Sequence, residues 1–120
     1  MKQQGLWQRF CFALNGLAAA RRHEASFRIQ LVVAAVALAF TTWLRPPLIW
    51  FALVVVAIGA VLAAELINTA LEHALDALHP QPAPLIKIAK DCAAAAVLVF
   101  SVTAAVVFLL MLFQAAGRAG

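Results

Sequence analysis

Residues 46–72, PPLIWFALVVVAIGAVLAAELINTALE, indicate most clearly how this chain folds. The first part of this stretch, residues 46–64, carries no charged side chain. A helix that spans a bilayer needs about 20 mainly apolar residues, and proline is favoured at a helix start. Nothing between Leu48 and Leu78 breaks a helix except Gly59, which membrane helices tolerate. The stretch therefore predicts one long helix that crosses a membrane and continues beyond it.

Two further uncharged runs, residues 29–44 and 92–117, flank this stretch. The chain of 120 residues is 66% hydrophobic and 12% charged, against about 45–50% and about 25% in soluble domains. A soluble domain of this size could not bury so much apolar surface. We therefore predict an all-α membrane protein of one domain, residues 1–120, with transmembrane helices at about 24–44, 48–78 and 85–114.

The N-terminal segment has a different pattern. Apolar residues recur at helical spacing over residues 6–22, and Gln8 and Arg9 are polar. Trp7 suits the headgroup boundary. The pattern predicts an amphipathic helix on the membrane surface, with a disordered tail as the alternative.

Basic residues set the predicted orientation. Lys and Arg are concentrated before the first span and in the loop between the second and third spans. The positive-inside rule then places the N-terminus in the cytoplasm. The net charge of +4 is explained by this orientation, and no basic run exceeds Arg21–Arg22, so we expect no nucleic-acid partner.

All five carboxylates fall near the cytoplasmic ends of the predicted helices. At about 1.5 Å per residue, Glu65 lies about 26 Å along the second span from Leu48, and Glu72 lies about 36 Å along it. The hydrocarbon core is about 30 Å thick, so both are near its cytoplasmic boundary. The others are Glu24 at the start of the first span, Asp76 beyond Glu72, and Asp91 near the start of the third span.

Polar residues within the second span share one helix face, at positions i, i+3, i+7 and i+11: Glu65, Asn68, Glu72 and Asp76. Such residues in a membrane are costly and usually functional, although a role in holding helices together is the alternative. Carboxylates and phosphates bind Mg²⁺, a lysine such as Lys90 meets phosphate, and a remaining carboxylate can accept a hydroxyl proton. These parts suit phosphoryl transfer to a membrane alcohol. We interpret His73 and His79 as interfacial bystanders.

The same residues resemble a known family. Glu65-Leu-Ile-Asn68-Thr-Ala-Leu-Glu72, then Asp76 and Ile88-Ala-Lys90-Asp91, are similar to the prokaryotic diacylglycerol kinase family, which includes undecaprenol kinases. Glu24-Ala-Ser-Phe27-Arg28 also matches, and the resemblance covers about residues 10–110.

The resemblance implies a homotrimer in the bacterial cytoplasmic (inner) membrane, with active sites shared between protomers, and it implies ATP and Mg²⁺. It implies that Glu65 is the catalytic base and that Glu24 and Glu72 hold the metal and contact the nucleotide. The other cofactor-binding positions that it implies are Asn68, Asp76, Lys90 and Asp91.

The lipid substrate implied is diacylglycerol, which would become phosphatidic acid, with undecaprenol as the alternative. Gln30 stands where diacylglycerol-type members carry an acid and undecaprenol-type members tend to carry histidine. Two other classes of function compete. A small oligomeric ion or proton conductor would need polar residues at every depth, and a structural subunit would have no activity.

Overall fold

The structure is a computed structural model that describes residues 5–119, which form four α-helices and no strands. In chain order these are α1 (Leu6–His23), α2 (Ala25–Leu44), α3 (Leu48–Leu78) and α4 (Pro84–Ala119). The last three are long and apolar enough to cross a membrane. The predicted all-α fold with three candidate spans is therefore confirmed.

Two helix ends differ from the sequence-based bounds. Glu24 was expected to begin the first span, but it lies in extended conformation between α1 and α2. α4 continues past the predicted end near Gln114 to Ala119. Ala115 and Ala116 are strong helix formers, no proline follows Gln114, and the helix runs through Gly117 without stopping there.

Prolines define both tight connections. Between α2 and α3, the carbonyl of Pro47 accepts hydrogen bonds from the backbone N–H groups of Trp50 (2.9 Å) and Phe51 (3.4 Å). Between α3 and α4, the backbone N–H of His79 donates to the Leu75 carbonyl at 2.8 Å and ends α3. Pro84 then occupies the first position of α4, where its missing N–H costs nothing. These short turns make α3 run antiparallel to both α2 and α4.

α3 is the central helix. Both α2 and α4 pack against it, and within residues 5–119 few residues of α2 and α4 meet. The contact between the Phe40 and Phe108 rings, with centroids 5.9 Å apart, is one meeting point. The buried core is small, while large apolar side chains such as Leu98 and Phe113 are exposed. Such an exposed apolar surface suits a lipid environment or contact with other membrane helices.

Arg45 gives a prediction about stability. It caps α2 in the left-handed conformation, with φ 53° and ψ 56°. This conformation costs a residue with a Cβ atom about 1–2 kcal/mol but costs glycine little. Arg45→Gly and Arg45→Ala remove the same charge, so we expect the glycine variant to be more stable by about 1 kcal/mol. Equilibrium unfolding in mixed micelles measures the difference, and equal stabilities would contradict this view of the turn.

Candidate active site at one end of the spans

Backbone hydrogen bonds fix the position of Glu24. Its N–H donates to the Ala20 carbonyl at 2.9 Å, and its carbonyl accepts from the N–H of Arg28 at 3.2 Å. The Arg28 guanidinium also donates to the carbonyls of Arg21 (3.0 Å) and Arg22 (3.2 Å), which lie in the last turn of α1. Since side chains of this kind satisfy carbonyls at helix ends, Arg28 joins the two helices on either side of Glu24.

The carboxylate of Glu24 reaches α3. Its Oε1 lies 3.9 Å from Nδ1 of His73, and the Glu24 side chain is 27% exposed. His73 Nδ1 donates to the Thr69 carbonyl at 2.8 Å, which holds the ring against its own helix. The structure therefore brings Glu24 beside the turn of α3 that carries Glu72. The sequence pattern indicates a bystander role for His73, but the structure places it beside Glu24. Its position directly after Glu72 could have indicated that it lies near the site.

Asn68 and Glu72 interact along α3. Asn68 Nδ2 donates to Glu72 Oε1 at 3.3 Å. The other amide atom of Asn68, Oδ1, is buried and has no hydrogen-bond partner among the described residues. A buried oxygen of this kind is costly unless something satisfies it. Glu72 Oε1 and Asn68 Oδ1 are hard oxygen ligands of the type that Mg²⁺ prefers, so the donors present fit this ion.

Glu65 is the most deeply placed of the acids. It is 5% exposed, on the same face of α3 and about 10 Å further into the span than Glu72. Its neighbours along the helix, Val61 and Ala64, are also buried. Within residues 5–119 its carboxylate makes no side-chain hydrogen bond or ion pair. A carboxylate that belongs to a buried residue and has no partner among the described residues is able to accept a proton from a ligand.

Lys90 and Asp76 connect α4 to α3. The Nζ atom of Lys90 lies 2.5 Å from Oδ1 of Asp76, and this ion pair is partly solvated because the side chains are 36% and 65% exposed. Exposed pairs stabilise proteins by only about 0.2–1 kcal/mol, so this contact mainly sets where the Lys90 ammonium lies. The ammonium group of Lys90 therefore lies at the end of α3 that also carries Glu72, and it places a positive charge there.

Asp91 forms an ion pair within its own helix. Its Oδ2 accepts from Lys87 Nζ at 2.6 Å, within α4, and both side chains are largely exposed. In addition, residues 5–119 contain no group of three or more His, Cys, Asp or Glu side chains arranged to hold a metal ion. The metal-binding role of Glu24 and Glu72 therefore stays a prediction. Asp91 also stays a predicted site residue, and within residues 5–119 of one chain its carboxylate forms no ion pair with another predicted site residue.

The helices and the site together define a class of protein. The chain is a multi-pass helical membrane protein with an acid-rich site at one end of its spans. Comparison with known proteins agrees, because the family described as prokaryotic diacylglycerol kinase matches residues 11–112. The chain belongs to this family and is an enzyme, a lipid kinase.

Two relatives show the breadth of the family. An undecaprenol kinase of Bacillus subtilis (strain 168) is 33% identical over 102 residues, which cover 85% of this chain and 83% of that protein. A diacylglycerol kinase of Escherichia coli (strain K12) is 29% identical over 103 residues, which cover 86% of this chain and 84% of that protein. The family resemblance expected from the sequence motifs is thus confirmed.

Proposed function

We propose that this chain transfers the γ-phosphate of ATP to the hydroxyl of a membrane lipid alcohol, with diacylglycerol as the first candidate. The observation that carries the proposal is the carboxylate of Glu65, which belongs to a buried residue and has no side-chain partner within residues 5–119. It shares a helix face with Asn68 and Glu72 in a chain of the lipid kinase family. Undecaprenol is the second candidate, because a relative named for that activity is 33% identical to this chain.

Each side chain has a distinct role in the proposed reaction. The Glu65 carboxylate accepts the hydroxyl proton while the lipid oxygen forms its bond to the γ-phosphorus and the bond to the β-phosphate oxygen breaks. Lys90, now beside Asp76, offers its ammonium to phosphate oxygens. Glu24, Glu72 and Asn68 supply oxygen ligands for Mg²⁺. When bound, Mg²⁺ neutralises the charge on the phosphate oxygens.

The proposed orientation allows both substrates to reach the site. We place the N-terminus and the 79–83 turn in the cytoplasm, at the inner membrane of a bacterium, so that ATP enters from water and the lipid enters from the bilayer. A homotrimer with shared sites is part of the proposal. The solvated Asp91 carboxylate and the exposed apolar faces of the spans support it, since both are available to a neighbouring protomer.

A transfer assay tests this function. Purified protein in lipid vesicles is given Mg²⁺ and ATP labelled at the γ-phosphate, with diacylglycerol and undecaprenol offered side by side. We expect label to appear in a lipid product only when ATP, Mg²⁺ and the lipid alcohol are all present. Absence of labelled lipid from both alcohols would exclude the proposal. Ion flux through the same vesicles without ATP would instead favour the conductor.

A further inference from the structure

A groove of about 640 Å³ runs along α3 between α2 and α4. Its walls are apolar, and of the described residues that line it only Gln30 and Ser101 are polar. Phe40 and Phe108 line it as well, with their ring centroids 5.9 Å apart, and the groove continues to Leu112, about one turn further along α4. From Gln30 to Phe40 the wall formed by α2 is about 15 Å long. This length is half the thickness of the hydrocarbon core, about 30 Å, and so equals the hydrocarbon thickness of one leaflet.

The Ser101 hydroxyl is buried and has no hydrogen-bond partner within residues 5–119. Three threonine hydroxyls in the spans, those of Thr41, Thr42 and Thr103, behave differently. Thr41 and Thr103 donate to the carbonyls four residues earlier, at 2.7 Å and 2.9 Å, as is usual for hydroxyls inside helices. Because an unsatisfied hydroxyl in an apolar environment is unfavourable, a ligand that offers an acceptor oxygen to Ser101 gains from the contact.

The depth of Ser101 follows from the ion pair between the two helices. Asp76 and Lys90 mark one level on α3 and α4, which run antiparallel. Counting the same number of residues into the membrane leads to Glu65 on α3 and to Ser101 on α4. Ser101 also lines the groove together with Leu62, which lies about one turn deeper than Glu65. The hydroxyl is thus at or slightly below the level of the proposed base.

We propose that Ser101 is a positioning residue that donates a hydrogen bond to an ester carbonyl of diacylglycerol, with an acyl chain in the groove below. This inference rests on the proposed function, because the lipid hydroxyl must meet Glu65. In diacylglycerol an ester carbonyl follows the reacting hydroxyl within a few bonds, towards the chains. In undecaprenol the corresponding atoms are hydrocarbon. The groove therefore favours a glycerolipid over a polyprenol.

The variant Ser101→Ala tests the proposed hydrogen bond when it is assayed on lipids that have the ester carbonyl and on lipids that lack it. The substrates are a diester diacylglycerol, the matching diether dialkylglycerol and undecaprenol, each dispersed in mixed micelles. We expect the variant to raise KM for the diester about 5-fold, as the loss of one net hydrogen bond implies, with kcat nearly unchanged. KM for the diether and for undecaprenol should not change. Ser101→Thr keeps the hydroxyl and should restore the low KM for the diester.

Thr103→Ala is the matched control, because it removes a hydroxyl of α4 that is already satisfied by the Val99 carbonyl. Equal KM increases for diester and diether in Ser101→Ala would indicate a structural role and overturn the proposal. An unchanged KM for the diester would overturn it as well.

A binding measurement separates the contact of Ser101 with the lipid from the transfer reaction. In Glu65→Gln protein, the diester should displace a fluorescent diacylglycerol better than the diether does, and adding Ser101→Ala should remove that preference.

If wild-type protein phosphorylates none of the three lipids but shows this preference, the kinase function fails and the role of Ser101 stands. If the diester does not bind better than the diether, the proposed role of Ser101 is wrong, whether or not the protein phosphorylates these lipids.

Discussion

Glu65→Gln should lower kcat for lipid phosphorylation about 10³-fold, within the range of about 10²–10⁴ that a general base contributes. The amide cannot accept the hydroxyl proton, and residues 5–119 offer no other carboxylate on α3 at this depth. The substitution removes a buried charge and keeps the shape of the side chain. Because a buried amide costs less than a buried carboxylate, the folded state should be preserved. Initial rates of label transfer measure the effect.

The controls for this variant separate chemistry from binding. Thermal unfolding and oligomer size should match those of the wild-type protein, and affinity for ATP in the presence of Mg²⁺ should change little. Glu65→Asp keeps a carboxylate in a displaced position, so its rate should lie between those of the wild-type protein and Glu65→Gln. A Glu65→Gln variant that retains full turnover would refute the assignment of the base.

Glu72→Gln is expected to have the second largest effect. The new amide oxygen can still accept from Nδ2 of Asn68, so the contact of 3.3 Å survives while the negative charge is lost. A divalent cation is held largely by carboxylate charge. The Mg²⁺ concentration for half-maximal activity should therefore rise at least 10-fold, because losing even an outer-shell partner of a metal ligand typically lowers metal affinity about 10–100-fold. Rates measured against Mg²⁺ concentration at saturating ATP test this expectation.

The response to excess metal is the internal control for Glu72→Gln. If the substitution only weakens Mg²⁺ binding, part of the lost activity should return at high Mg²⁺ concentration. If activity is low at every Mg²⁺ concentration and metal affinity is unchanged, Glu72 does not hold the metal.

Much of the fold could be predicted from the sequence, because in a membrane protein length and charge dictate the elements. The uncharged run at residues 46–64 and the prolines on either side of α3 predicted its bounds, Leu48–Leu78, which the structure matches. The end of α4 could not be predicted as well. No charge or proline lies between Gln114 and Gly117, and propensity alone does not say where a solvent-exposed helix stops.

The sequence predicted the depth in the membrane at which the site residues lie, but not which of them contact each other. Helical spacing placed Asn68 and Glu72 on one face, and their hydrogen bond agrees with that placement. The partners across helices depend on how the helices rotate about their axes, which periodicity does not specify. The sequence therefore did not indicate that Lys90 pairs with Asp76 or that Glu24 lies beside His73.

Ser101 is a similar case. In the sequence it is one small polar residue in an apolar run. Only the packing of α2 and α4 on α3 shows that it lines a groove and that its hydroxyl has no hydrogen-bond partner among the described residues.

We propose that Glu24, from the junction of α1 and α2, and Glu72, from α3, bind one metal ion together. A double-mutant cycle on Mn²⁺ affinity, measured by electron paramagnetic resonance in the presence of ATP, is the decisive test. We expect Glu24→Gln and Glu72→Gln each to weaken Mn²⁺ binding about 10-fold or more, and the double variant to be little worse than either, because partners in one site are not additive. Unchanged Mn²⁺ affinity in either single variant, or losses that add in full, would contradict a shared metal.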